Sequence, residues 1–197
     1  MEFIGITGGV GAGKSEILRY IQENYNAKIL LADEVAHELM EPGKDCYERI
    51  VKAFPGEDIF AKDGHFDSKK LAEVIFSDDG KRERMNGIVH PAVKEEILGI
   101  YDKEKEKGKF TYFILEAALL IEEGYDKICD RLWYIDTGRE IRRQRLKMSR
   151  GYSDGKIDSI FGSQLSEEEY RKYAALVIDN NGTLEETIYQ VRQAFAR

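Results

Sequence analysis

A single stretch near the start, Gly8-Gly-Val-Gly-Ala-Gly-Lys14-Ser15, constrains this chain more than any other. It fits the pattern G-x-x-x-x-G-K-[ST], which arises by chance in a chain of this length roughly one time in a hundred. Phe3, Ile4 and Ile6 ahead of it form a short apolar run with β-branched members. Ile17, Leu18 and Ile21 behind it recur at helical spacing. The motif therefore stands between a strand and a helix, where glycines let the backbone curl round an anion with its N–H groups inward. The helix adds its positive end. In this pattern Lys14 reaches the β- and γ-phosphates of a nucleotide, and Ser15 is the ligand for Mg²⁺.

The rest of the chain narrows the setting. Its 197 residues suffice for one domain with a true core and a helical excursion. No run of about 18 apolar residues occurs, so no membrane-spanning helix is expected, and the chain enters a strand at once, so no leader is expected. Cys46 and Cys129 lie far apart with no C-x-x-C spacing, which fits a reducing cytoplasm better than a disulfide framework or zinc site. The net charge of −7 argues against nucleic-acid binding by the bulk surface. Against that acidity one segment stands out: Arg139-Glu-Ile-Arg-Arg-Gln-Arg-Leu-Lys-Met-Ser-Arg150 carries six cations and one acid. Such a helix either brings arginine forks to phosphate oxygens or is a solvated face tied down by nearby acids.

Periodicity and punctuation divide the chain into alternating elements. Strands are expected at 2–6, 28–31, 111–115, 131–135 and 174–178. Helices are expected at about 14–25, 34–40, 46–54, 68–76, 79–107, 139–150 and up to 164. His90-Pro91 is expected to interrupt the long one, since proline lacks a donor and disfavours a helical residue before it. Ser166-x-x-Glu169 and Thr183-x-x-Glu186 are capping boxes for two more helices. Residues 55–67 read as an irregular, exposed connection, and the charged run 102–109 as a solvated helix end. No hairpin turn joins any two strands. The pattern predicts an α/β fold: a five-stranded parallel sheet flanked by helices, with functional groups gathered at the carboxyl ends of the strands.

Those ends carry three acids. Asp33 can accept the proton of an attacking hydroxyl or act as the N-cap of the following helix. Glu116 can hold a magnesium shell through water or sit as a solvated strand end. Asp136, just before the basic helix, reads as an N-cap. His90 can contact a substrate phosphate or cap a kink, and no second metal-spaced histidine accompanies it.

In this order the motifs resemble those of bacterial dephospho-coenzyme A kinases over nearly the whole chain. Ile4 to Ser15 resembles the family's opening, and Leu31-Ala32-Asp33 stands where the family has Asp-Ala-Asp. Glu41-Pro42-Gly43, His90-Pro91, Leu119-Leu120-Ile121-Glu122, Arg145, Gln164 and Ile178-Asp-Asn-Asn-Gly182 follow in family order. The chain departs from the family pattern at Leu31, Glu16, Ala118, Ser149 and Ala175.

The resemblance implies a P-loop NTPase fold of the nucleoside-monophosphate-kinase-like kind. It implies a single domain with its core at about 1–32, 108–137 and 174–197, a helical acceptor-binding region at about 33–107 and a lid at about 138–170. It implies a cytoplasmic enzyme, a monomer or weak homo-oligomer, that moves the γ-phosphoryl of ATP, with Mg²⁺, to the ribose 3′-hydroxyl of dephospho-coenzyme A. Asp33, Lys14 and Arg145 become the catalytic residues. Gly11, Ala12, Gly13, Lys14, Ser15, Glu16 and Asn181 hold the nucleotide, with Asn180 and Asn181 near adenine. Thr7, His90 and Glu116 serve the acceptor, and Ser15 the metal. The runner-up is a nucleotide or nucleoside kinase of the same fold. A guanine-nucleotide switch is disfavoured, because no N-K-x-D element is present.

Overall fold

A computed structural model describes residues 1–196. The elements follow as β1 (Glu2–Thr7), α1 (Lys14–Asn24), β2 (Ala27–Leu31), α2 (Ala32–Leu39), α3 (Asp45–Ala53), α4 (Ser68–Phe76), α5 (Asp79–Lys107), β3 (Tyr112–Glu116), β4 (Arg131–Asp136), α6 (Arg139–Arg150), α7 (Asp154–Gly162), α8 (Glu167–Tyr173), β5 (Leu176–Asp179) and α9 (Leu184–Phe195). A short 3₁₀ turn at Tyr125–Lys127 precedes β4. The strands make one parallel sheet in the order β2-β3-β1-β4-β5. β1 lies at its centre, paired to β3 with Ile6 opposite Glu116 and to β4 with Ile6 opposite Trp133. Central strands of a parallel sheet are covered on both faces, which is why Phe3, Ile4, Ile6, Phe113, Ile114 and Leu115 are all buried.

The chain divides into two compact units, one of residues 1–29 with 108–197 and the other of residues 30–107. In the first, α9 lays Val191 and Ala194 inward, and Phe195 meets Trp133 at 4.9 Å and stacks on Tyr25 at 3.9 Å. Both capping boxes form as expected, at Ser166–Glu169 and Thr183–Glu186. In the second, α5 is the spine: Met85, Val89, Val93 and Ile97 make a buried stripe at intervals of four, against which α2, α3 and α4 pack.

Three expectations need correcting, and one open alternative is decided. The long helix runs unbroken through His90 and Pro91. The buried stripe crosses that point, and packing along it outweighs the hydrogen bond that proline forfeits. Secondly, the N-cap of α2 is Leu31, so Asp33 lies inside the first helical turn and does not cap it. Thirdly, Gly138 caps α6, and Asp136 instead pairs with Arg171 while nearly buried at the end of β4. Lastly, residues 55–67 are less irregular than their glycines and proline suggest. Phe60 and Phe66 form a bridge and stack at 5.6 Å, and the Tyr47 hydroxyl donates to Gly64 O at 2.6 Å.

Proline inside a helix costs about 3 kcal/mol, partly offset by the freedom it removes from the unfolded chain. Pro91→Ala is therefore expected to raise the urea-unfolding free energy by about 1–3 kcal/mol. A loss of stability in that measurement would show that the proline ring fills a packing role.

Candidate active site

The loop after β1 owes its shape to residues without side chains. Gly8, Gly11 and Gly13 have φ of +148°, +83° and +87°. Close approach adds a second reason: a β-carbon on Gly8 would stand 2.7 Å from Ile135 O, and one on Gly13 2.5 Å from the Asn180 amide nitrogen. Gly13 is also the N-cap of α1 and supplies no side-chain cap. The positive end of the α1 dipole thus faces the loop, with the Glu16 N–H turned onto Gly13 O at 3.2 Å.

Lys14 crosses the mouth of this cradle. Its Nζ donates to Gly8 O at 2.7 Å and lies 3.3 Å from Glu116 Oε1, with both side chains largely buried. Glu116 is therefore no solvated strand end. The pairing of β1 with β3 sets it opposite Ile6 and beside the loop. A phosphate chain entering the cradle competes with Glu116 for the ammonium, which is already aimed inward.

The loop is held from behind by its partners. Ala12 O accepts three hydrogen bonds, from Thr137 Oγ1 at 3.0 Å, Asn180 Nδ2 at 2.6 Å and Arg145 at 3.3 Å. Arg145 spends its other arm on Asn180 O at 3.1 Å. Its fork thus joins the loop to the turn after β5. Asn180 is buried and takes the Thr187 hydroxyl at 2.9 Å. Asn181 is exposed, and its side chain bridges Gly138 N at 2.7 Å and Asp179 at 2.6 Å. Thr7 is wholly buried and donates to Ala117 O at 3.2 Å, so its hydroxyl ties β1 to the segment after β3. Glu16 is exposed and paired with Arg19.

Arg142 is the residue that sequence reasoning did not single out. It is buried, its Nε donates to Val10 O at 3.0 Å, and its guanidinium lies 4.4 Å from the Phe161 ring centre. Burial pulls its pKa below the usual arginine value, with Tyr134, Tyr170 and Glu167 opposing. The cation-rich run was visible, but not which cation faces inward. By contrast Arg143 binds Asp154 and Asp158, and Lys147 binds Asp154 at 2.8 Å.

In the other unit, Asp33 is exposed on the first turn of α2 and His90 half-buried on α5. For a divalent cation the first unit offers Ser15, exposed at the start of α1, and the Glu116 carboxylate. One hydroxyl and one carboxylate suit Mg²⁺, which keeps several waters and takes further ligands from substrate phosphates.

A family model for dephospho-CoA kinase matches residues 2–186. A dephospho-CoA kinase of Aquifex aeolicus is 37% identical over 195 residues, covering 99% of this chain and 96% of its own. One from Fusobacterium nucleatum is 36% identical, covering 96% and 95%. Among solved structures, TT1252 from Thermus thermophilus superposes with a TM-score of 0.80 at 26% identity, covering 99% of this chain and 96% of its own. A shikimate kinase from Acinetobacter baumannii, at 14% identity and a TM-score of 0.57, covers 100% and 93% and shares the fold.

Gly13→Ala forces a β-carbon into a left-handed conformation and against Asn180. It is expected to weaken nucleoside triphosphate binding at least about tenfold, since the strain alone is of order 1–2 kcal/mol. Titration with a fluorescent nucleotide checks this; unchanged affinity would mean that the loop does not cradle phosphate.

Proposed function

The chain belongs to the dephospho-CoA kinase family, a kinase transferring a nucleotide γ-phosphoryl group to the ribose 3′-hydroxyl of dephospho-coenzyme A in the last step of coenzyme A synthesis, and we propose how its residues divide that work. The observation that carries the proposal is Lys14, stretched across the glycine cradle between Gly8 O and the Glu116 carboxylate.

ATP is the proposed donor. Its phosphates lie in the loop of Gly11, Ala12, Gly13, Lys14, Ser15 and Glu16, and its adenine beside Asn181. Lys14 gives up part of its pairing with Glu116 to meet the β- and γ-oxygens. Ser15 and Glu116 are the residues that would hold Mg²⁺, which when bound neutralises charge on those oxygens. Arg145, an always-charged fork, is the cation that steadies the charge developing on the moving phosphoryl group, for which it must release Ala12 O and Asn180 O. Asp33 takes the proton of the acceptor hydroxyl. Residues 33–107 form the acceptor region, with His90 in it, and Glu116 supports the acceptor from the sheet, while Thr7, wholly buried and donating to Ala117 O, serves it only by holding the strand end in place. Segment 138–170 is the lid. We place the reaction in the cytoplasm, carried out by a monomer or weak homo-oligomer.

Release of ADP with magnesium-ATP is expected with dephospho-coenzyme A and not with adenosine, AMP or CMP. Faster turnover with a nucleoside or nucleotide acceptor would favour the runner-up. Lys14→Ala is expected to abolish transfer. Asp33→Asn is expected to lower kcat at least about a hundredfold with ATP binding intact; collapse of ATP binding instead would make Asp33 structural.

A further inference from the structure

The apex of the phosphate loop, Val10, is gripped from outside on three counts. Its carbonyl accepts from Arg142 Nε at 3.0 Å. Its N–H donates to Gln164 Oε1 at 3.4 Å. Its side chain packs on the buried cluster of Leu146, Ile157 and Phe161. Arg142 and Gln164 are joined in turn, because the same Gln164 Oε1 accepts from the Arg142 guanidinium. Arg142 also fills the place of a side chain at Gly9, where a β-carbon would stand 2.2 Å from its Cζ. A closed ring of hydrogen bonds thus uses both backbone polar groups of the apex residue.

The chemistry gives that ring a purpose. A loop that binds phosphate through N–H groups must present some amides inward and dispose of the others. Gln164, on the turn between α7 and α8, takes the Val10 amide away from the cradle. Arg142 takes the carbonyl, whose partial negative charge would repel phosphate oxygens. A buried guanidinium over Gly9 also adds positive charge beside the cradle, and aromatic stacking on Phe161 holds its plane.

We propose that Arg142 and Gln164 are positioning residues for phosphoryl transfer: together they fix the Gly9–Val10 apex of the loop in the conformation that receives the nucleotide's phosphates. Neither is asked to touch the reacting atoms. Arg145 is bonded one loop turn away, to Ala12 O and Asn180 O, so the two arginines hold different parts of the cradle. The inference rests on the nucleotide-binding role proposed for this loop.

The test measures ATP kinetics and amide hydrogen exchange on Arg142→Ala, Gln164→Ala, the double variant, Arg142→Lys and Gln164→Glu. Each alanine variant is expected to lower kcat/KM for ATP at least tenfold while the KM for dephospho-coenzyme A stays within twofold. The double variant is expected to be no more than threefold worse than the weaker single one, because the ring is already open. Gln164→Glu keeps the acceptor oxygen and is expected to recover most of the loss. Arg142→Lys, which keeps charge without the fork, is not. Exchange at Gly9 to Gly11 in the nucleotide-free protein is expected to quicken at least tenfold in both alanine variants.

ATP parameters within twofold of the parent, or losses that simply multiply in the double variant, would overturn the proposal. So would unchanged exchange at the apex. Exchange needs neither substrate, so it separates failure of the clamp from failure of the functional reading. If an alanine variant does not fold, the lysine and glutamate variants decide the matter by their opposite expected effects.

Discussion

A loop that binds phosphate with its own amides has almost no side chains with which to hold itself. Every glycine that gives the backbone its curvature also removes an anchor and adds freedom to be lost on folding. The order of the cradle must therefore be imposed by neighbours. Here Ala12 O is met by Thr137, Asn180 and Arg145, and the Val10 backbone by Arg142 and Gln164. Each such bond contributes about 0.5–1.5 kcal/mol net, and only the set suffices to hold one conformation. The side chains that line the loop's outer surface thus determine what its inner surface can bind.

Charge is distributed by the same geometry. The basic helix divides its cations between two sets of partners. Arg142 and Arg145, three apart on α6, face the loop, and Leu146 beside them is buried under Val10. Arg143 and Lys147, four apart, turn the other way to the acids of α7. Exposed pairs of that second kind contribute little each, but they keep α7 against α6. In an acidic protein this sorting lets positive charge persist at the cradle, where the Glu116 carboxylate lies 3.3 Å from Lys14 Nζ.

What the sequence made legible follows local rules. Glycines with Lys14 and Ser15, the apolar strands and the two capping boxes each act over a few residues, and the structure has them where expected. Assignments that failed were decided by distant partners. Asp136 does not cap α6 because Arg171 claims it. Pro91 does not break α5 because a buried stripe runs on both sides of it. Arg142 went unnoticed because six cations in a row look alike until α6 is set against the loop. Asp33 and His90 carry no local pattern that separates their alternatives, and the roles proposed for them come from likeness to a family.

The ties on the loop also have a direction in time. Val10 is bound to a residue 154 positions later, and Ala12 to one 168 positions later. The motif is synthesised well before its support at Asn180. A nascent chain stopped short of that turn has the whole glycine-rich motif but lacks the Asn180 bond to it. The loop therefore reaches its supported conformation only after residues far along the chain have folded against it.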